Sequence, residues 1–311
     1  MKIFKPKFWL DDKINVLSVL LFPFSAIYMI IHSIKRKLSL EKKFNIPVIC
    51  VGNIYIGGTG KTPLSILIAN ELSQKGKKTA IIKKFYNNHI DEHHLTKKYF
   101  SNVILKKNRS KAIQEAIDHN YDVLVLDDGF QDYSFKKNLN ILCFNSNQLI
   151  GNGLIFPSGP LRESLDAVKD SQIIVINGVR NLTFEEKILN INPEVSFYYS
   201  EYKIKNINEL KNKKLLAVAG IGNPRNFFEL LEKNGLDVKE KQSYPDHYNF
   251  SKQEILDLIN KANQKNLHLV LTEKDFLRVE KYKLDQVKYS RVELEIKRKN
   301  ELINEIDKIC N

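Results

Sequence analysis

The chain has 311 residues, 43% of them hydrophobic, and its 49 Lys and Arg outnumber 36 Asp and Glu for a formal net charge of +13. That apolar content excludes a generally disordered chain, and the length suits two domains better than one. The lysines are scattered, so the charge argues for anionic surroundings without choosing among nucleic acid, an anionic membrane and a phosphorylated substrate. Cys50, Cys143 and Cys310 are too far apart for a metal knuckle and read as reduced thiols of a cytoplasmic protein.

From Val16 to Ile31 the chain is apolar apart from Ser18, Pro23 and Ser25, and it is bracketed by Lys2, Lys5, Lys7 and by Lys35, Arg36, Lys37. No small-residue cleavage site follows, and the run is shorter than the roughly 20 residues of a full span. With Phe4, Phe8, Trp9 and Tyr28 nearby, residues 1–37 are expected to form a helix embedded in or lying on the inner leaflet. A buried core helix is the alternative.

A strand predicted over 46–53 then runs into Tyr55-Ile56-Gly57-Gly58-Thr59-Gly60-Lys61-Thr62. Glycines 57, 58 and 60 let backbone amides point at phosphate oxygens, Lys61 offers a compact cation for the β- and γ-phosphates, and the Thr62 hydroxyl can ligate Mg2+. The strict pattern has glycine where Tyr55 stands. A helix over 62–75, strands over 79–83 and 102–106 and a helix over 109–119 follow, and then an apolar strand over 122–128 that ends in Asp127-Asp128. Alone, those acids read as a turn after a core strand; behind a Gly-Lys-Thr loop they read as the carboxylates that organise the metal of bound ATP.

Strands over 140–144 and 172–177 extend the pattern, which predicts an α/β fold: a P-loop NTPase-type, mostly parallel sheet with helices on both faces, over 38–205. A polar stretch over 177–194 and an alternating strand over 197–204 mark the boundary. Residues 206–311 are expected to form a smaller α/β domain: strand 214–220, a helix 224–234 opened by Asn223-Pro224, strand 236–242, helix 251–265, strand 267–272, helix 273–281, a strand near 288–296 and a last helix 299–310.

Several phrases now stand in order: Val51-Gly52-Asn53 with the glycine loop, Asp91-Glu92, Asp127-Asp128-Gly129-Phe130-Gln131, Gly151-Asn152-Gly153, Gly159-Pro160-Leu161-Arg162-Glu163, Gly220-Ile221-Gly222-Asn223-Pro224, Pro245-Asp246-His247 and Thr272-Glu273-Lys274-Asp275. The set closely resembles the tetraacyldisaccharide 4'-kinase family, from the apolar amino end to about residue 280. The resemblance implies ATP- and Mg2+-dependent phosphorylation of the 4'-hydroxyl of an acylated glucosamine disaccharide 1-phosphate. It places the protein at the cytoplasmic face of the inner membrane, as a monomer on an anionic lipid surface with no nucleic-acid partner.

It also implies Asp91 and His247 as a catalytic pair on different domains across a closing cleft, with Thr62, Asp127, Asp128 and Gln131 around the metal and Arg109, Arg162 and Glu163 lining the site. By residue type alone, His247 after Pro-Asp reads as a loop residue and Arg162-Glu163 as a solvated salt bridge. The chain departs from the family's pattern at Lys83-Lys84-Phe85-Tyr86, where Ser-Arg-Gly-Tyr is usual, at Asp132, which replaces a histidine, and in lacking Gly and Pro beside Asp91-Glu92. Two rival readings are a membrane-associated switch ATPase of the partitioning type, whose signature lysine is here Ile56, and an amide-forming ligase, which leaves the apolar amino end unexplained.

Overall fold

The structure, a computed structural model, describes residues 6–10, 14–86 and 90–310, the side chains of Ile90 and Asp91 excepted. A single 3-10 turn precedes α1 (Val16–Leu38). There follow β1 (Val48–Gly52), α2 (Lys61–Gln74), β2 (Thr79–Lys84), α3 (Ile90–Tyr99), β3 (Val103–Lys106), α4 (Arg109–Asp118), β4 (Val123–Asp127), β5 (Leu139–Asn145), β6 (Ile173–Asn177), α5 (Leu182–Leu189) and β7 (Ser196–Ile204). The remainder comprises α6 (Ile207–Leu210), β8 (Lys214–Ala219), α7 (Pro224–Lys233), β9 (Asp237–Ser243), α8 (Lys252–Gln264), β10 (His268–Thr272), α9 (Glu273–Val279), β11 (Lys288–Ser290), β12 (Val292–Ile296) and α10 (Lys299–Asp307).

The main sheet has the order β12-β7-β6-β5-β1-β4-β2-β3, parallel from β7 to β3. Every residue of β1, β4 and β6 is buried, as strands covered by helices on both faces require. From β1 the chain crosses to β2 and β3, returns to β4 beside β1, then continues on the opposite side with β5. The strand order therefore reverses around β1 and β4, and their carboxyl ends form the crevice where ligands bind in open α/β sheets. A second, all-parallel sheet has the order β11-β10-β8-β9.

The chain divides into two compact units, but not at one point. The larger runs to Phe85, resumes over Phe100–Glu201 and includes the carboxyl-terminal residues from Ile296; the smaller takes Tyr86–Tyr99 together with Tyr202–Glu295. A linear division at 205/206 misplaces two elements. Helix α3, a helix absent from the expected elements, joins the smaller unit because Glu273 of α9 accepts from Lys98 (2.7 Å) and Tyr99 (2.6 Å), while Lys274 pairs with Glu92 (2.9 Å). Helix α10 joins the larger unit: Glu305 accepts from Ser196 (2.9 Å) and Tyr198 (2.7 Å), and Lys299 reaches Glu71 of α2 (2.6 Å). Helix α5 lies within the stretch 177–194 that reads as polar in the sequence; Asn181 caps it and its Phe184 and Ile188 are buried.

Helix α1 belongs to the larger unit and is inside out for a soluble helix. Its buried residues are Ser18 and Ser25, while Val16, Leu20, Phe22, Phe24, Ile30 and Ile31 are exposed. Ser25 Oγ donates to the Ile155 carbonyl (2.8 Å) and lies 2.9 Å from Ser158 Oγ, and Asn152 Nδ2 donates to Ser18 Oγ (3.2 Å). Trp9 Nε1 adds a bond to the Pro157 carbonyl (3.1 Å). At 23 residues the helix is longer than its apolar run suggested, and by length and composition it can cross a membrane.

Candidate active site

The glycine loop leaves the carboxyl end of β1 and enters α2 at Lys61. Gly60 stands at the helix N-cap with φ of 95°, a conformation open to glycine and strained for other residues. Asn53, wholly buried, braces the loop from inside: its Nδ2 donates to the carbonyls of Tyr55 (2.6 Å) and Gly57 (3.2 Å) and to Thr59 Oγ1 (3.0 Å). The first limb of the loop is part of the scaffold. Ile56 N–H donates to the Pro160 carbonyl (2.8 Å), and Tyr55, bridged to Leu161, has its ring in the core. Residues 57–62 complete the loop and its entry into α2.

Opposite them β4 delivers its two acids. Thr62 Oγ1 donates to Asp127 Oδ2 (2.7 Å), and Lys83 Nζ, from the end of β2, donates to the same oxygen and to Thr62 Oγ1 (3.1 Å). Lys83 and Asp127 are register partners on adjacent parallel strands, so the sheet itself creates the pair. Asp127 Oδ1 is buried with no hydrogen-bond partner among the described residues. An orphaned carboxylate oxygen next to a P-loop hydroxyl fits the oxygen-rich coordination of Mg2+.

Asp128 takes the left-handed conformation (φ 59°), which turns its carboxylate toward the loop. Lys61 Nζ lies 3.6 Å from Oδ1, and Arg162 Nη1 is 3.0 and 3.3 Å from the two oxygens. Burial pushes this carboxyl up, but Lys61, Arg162 and Arg109 outweigh it and hold it down at about 2. Arg109, itself buried, donates to the Asp128 carbonyl and to Asp132 Oδ2 (3.3 Å). Asp132, at the position where the resemblance led to a histidine, thus holds Arg109.

Gln131 Nε2 donates to the Asn53 carbonyl (2.9 Å) and its Oε1 faces Arg162 (3.5 Å), so it links the loop brace to the arginine. Glu163 is buried and accepts from Tyr133 (2.6 Å). Arg162 and Glu163 also line a cavity of about 290 Å3 whose other wall is Tyr28, His32 and Arg36 of α1. Beneath the loop, burial pushes Cys50 up to about 11, which makes it an inert core thiol.

His247 lies in the smaller unit, at φ 56°, with its N–H bonded to the Gly220 carbonyl (3.1 Å). Its Nδ1 is 3.3 Å from Arg278 Nη2. A guanidinium only donates, so this contact suits the tautomer in which Nδ1 accepts and Nε2 carries the proton. Arg278 is fixed in turn by Asp275 Oδ1 (2.6 Å), and Asp275 Oδ2 accepts from Thr272 (2.6 Å) and Gly220 N–H (2.9 Å). The Thr-Glu-Lys-Asp and Gly-Ile-Gly phrases thus form one network behind His247. Asp91 is on the first turn of α3, in this same unit rather than the larger one, and its side chain lies outside the described residues. Sequence reasoning missed Lys83, Asn53 as a brace and Arg278; for Lys83 the signal was a strand ending in Lys-Lys beside the strand ending in Asp-Asp.

The model of one family, described as Tetraacyldisaccharide-1-P 4'-kinase, matches residues 17–311. The chain is 40% identical over 315 residues to the tetraacyldisaccharide 4'-kinase of Pelagibacter ubique (strain HTCC1062), covering 99% of each chain. It is 31% identical over 296 residues to that of Rickettsia akari (strain Hartford), covering 89% of each. Its fold is similar to the crystal structure of LpxK from Aquifex aeolicus in complex with ATP, with a TM-score of 0.73 at 24% identity over 95% of this chain and 100% of that one.

Proposed function

The chain belongs to the tetraacyldisaccharide-1-P 4'-kinase family, and from that premise we propose how its own residues divide the work. The reaction is the transfer of the γ-phosphate of ATP to the 4'-hydroxyl of a tetraacyldisaccharide 1-phosphate in lipid A biosynthesis. The family match over nearly the whole chain sets aside the switch-ATPase reading. One observation carries the assignment: Lys61, Thr62, Asp127 and Asp128 converge at the carboxyl ends of β1 and β4, where the strand order reverses.

Phosphoryl transfer needs positioning and charge neutralisation more than covalent chemistry. In our reading the 57–61 amides cradle the triphosphate and Lys61 leaves Asp128 for the β- and γ-oxygens. Thr62 and Asp127, with Asp128 beside them, would hold Mg2+, which when bound would neutralise charge on the phosphate oxygens. Arg162 moves its charge from Asp128 to the transferring group. Asp91 accepts the proton of the attacking hydroxyl, and His247, protonated on Nε2, orients that carboxylate. The test is incubation of the purified protein with γ-labelled ATP and a panel of lipid and sugar acceptors. Stoichiometric label on the 4'-position of the acylated disaccharide 1-phosphate is expected; label released only as inorganic phosphate would overturn the assignment.

We further place the protein at the cytoplasmic face of the inner membrane, on an anionic lipid surface. The outward apolar side chains of α1 and the Lys35, Arg36 and Lys37 in its last turn support this. Deletion of residues 1–37 should release the protein from anionic vesicles in flotation and weaken use of acylated acceptor more than ATP binding. Unchanged flotation of the folded truncated protein would refute it.

A further inference from the structure

Thr62, Asp127 and Lys83 form a closed triangle. The Thr62 hydrogen goes to Asp127 Oδ2, Lys83 donates to that same Oδ2, and Lys83 also takes a lone pair of Thr62 Oγ1. The side chains of Lys83 and Asp127 are 8% and 1% exposed, so solvent screens the arrangement little. We propose that the Lys83 ammonium is a built-in counter-cation in the Mg2+ seat of the nucleotide-free protein, and that metal-bound ATP has to displace it. The proposal rests on the assignment of Thr62 and Asp127 as that seat.

The physical argument is one of exclusion. A metal ligated by Thr62 needs the oxygen lone pair that Lys83 holds, and two cations a hydrogen-bond length apart in a buried site repel strongly. Asp127 Oδ1, buried and without a hydrogen-bond partner among the described residues, is a second oxygen on the same carboxylate that the ammonium leaves to a metal. Lysine suits such a role because its point charge sits on a flexible four-carbon stem that can swing away, which a guanidinium locked in a bidentate fork does less readily. Before the metal arrives, the ammonium balances the charge of the buried carboxylate and keeps Thr62 oriented. It follows that metal-free ATP can bind without disturbing the triangle, whereas Mg2+–ATP binds against it. Mg2+ then strengthens ATP binding less than the two oxygens alone would allow.

The experiment measures ATP affinity by calorimetry on the full chain, once in chelator and once in excess MgCl2, for wild type, Lys83→Gln and Lys83→Met. Glutamine keeps a donor for Asp127 and so protects folding; thermal unfolding checks both variants. The ratio of the two dissociation constants, metal-free over Mg2+, should rise at least tenfold in a folded variant relative to wild type. A ratio within twofold of wild type, while Mg2+ still tightens ATP binding to wild type, overturns the displacement and leaves the seat standing. A ratio that falls would mean that Lys83 assists the metal and equally overturns the proposal. ATP affinity indifferent to Mg2+ in all three proteins overturns the seat itself, and the proposal with it.

Discussion

Asp127→Asn isolates the electrostatic content of the nucleotide site. Asparagine is nearly isosteric and still accepts from Thr62, so the change removes little except the charge that balances Lys83. Both side chains are buried, at 1% and 8% exposure. Removing one charge of a buried ion pair costs about 3–5 kcal/mol. Because Thr62 and the asparagine amide remain bonded, we expect the lower end, about 3 kcal/mol, and at about 2–4 °C per kcal/mol for a body of this size the melting temperature should fall by about 6–12 °C. The assay is thermal unfolding by circular dichroism in chelator without nucleotide, so that no ligand binding enters. Asp127→Asn/Lys83→Met removes both charges and should recover most of the loss, since apolar replacement of a buried pair is often near neutral. A fall under about 2 °C for the single variant, or a double variant equal to the sum of the singles, would refute the argument that this pair is a coupled buried unit.

Lys61→Ala removes the cation aimed at the β- and γ-phosphates and should lower kcat by about 10²-fold or more at saturating ATP without unfolding the protein; near-wild-type turnover contradicts the loop assignment. Asp91→Ala and His247→Ala should each lower kcat by about 10²–10⁴-fold with ATP affinity nearly unchanged, and the double variant should cost little more than the worse single one; multiplicative losses would mean separate roles. Asp128 is held at about 2, below the unfolded carboxyl value, so the stability it contributes is fully present above the unfolded value and lost as pH falls through about 2. The stability difference between wild type and Asp128→Asn should therefore be flat from about pH 5 to 8 and shrink below about pH 4; a difference that grows on acidification would reverse the sign of the linkage.

What could be read from the sequence is what repeats a local physical pattern. The buried parallel strands announce themselves as apolar runs, and the glycine loop with Lys61 and Thr62 is contiguous, so its geometry is local. Helix α3 is invisible for the opposite reason: Ile90–Tyr99 is mostly polar and has no apolar stripe, and it is held by Glu92, Lys98 and Tyr99 reaching α9 some 174 to 182 residues away. The same long-range charge pairing returned that segment to the smaller unit and spoiled a linear domain boundary. In the sequence Lys83 is only a departure from the family's pattern. Its meaning depends on strand order, since β2 neighbours β4 rather than β1, and single-strand patterns do not carry that.

The inverted polarity of α1 makes the surrounding medium a component of the fold. Ser18, Ser25 and Asn152 join helix to body through hydroxyl and amide bonds worth about 0.5–1.5 kcal/mol each in net stability, far less than the apolar area turned away from the body. In plain buffer that area has nowhere to go except onto the same surface of other copies, so the isolated protein should cluster without detergent at concentrations where its catalytic units are fully folded. Hydrocarbon reverses the balance, because it solvates the aliphatic side chains and leaves the serine bonds no water to exchange with. The rotational setting of the helix is then fixed by where its few polar atoms can be satisfied.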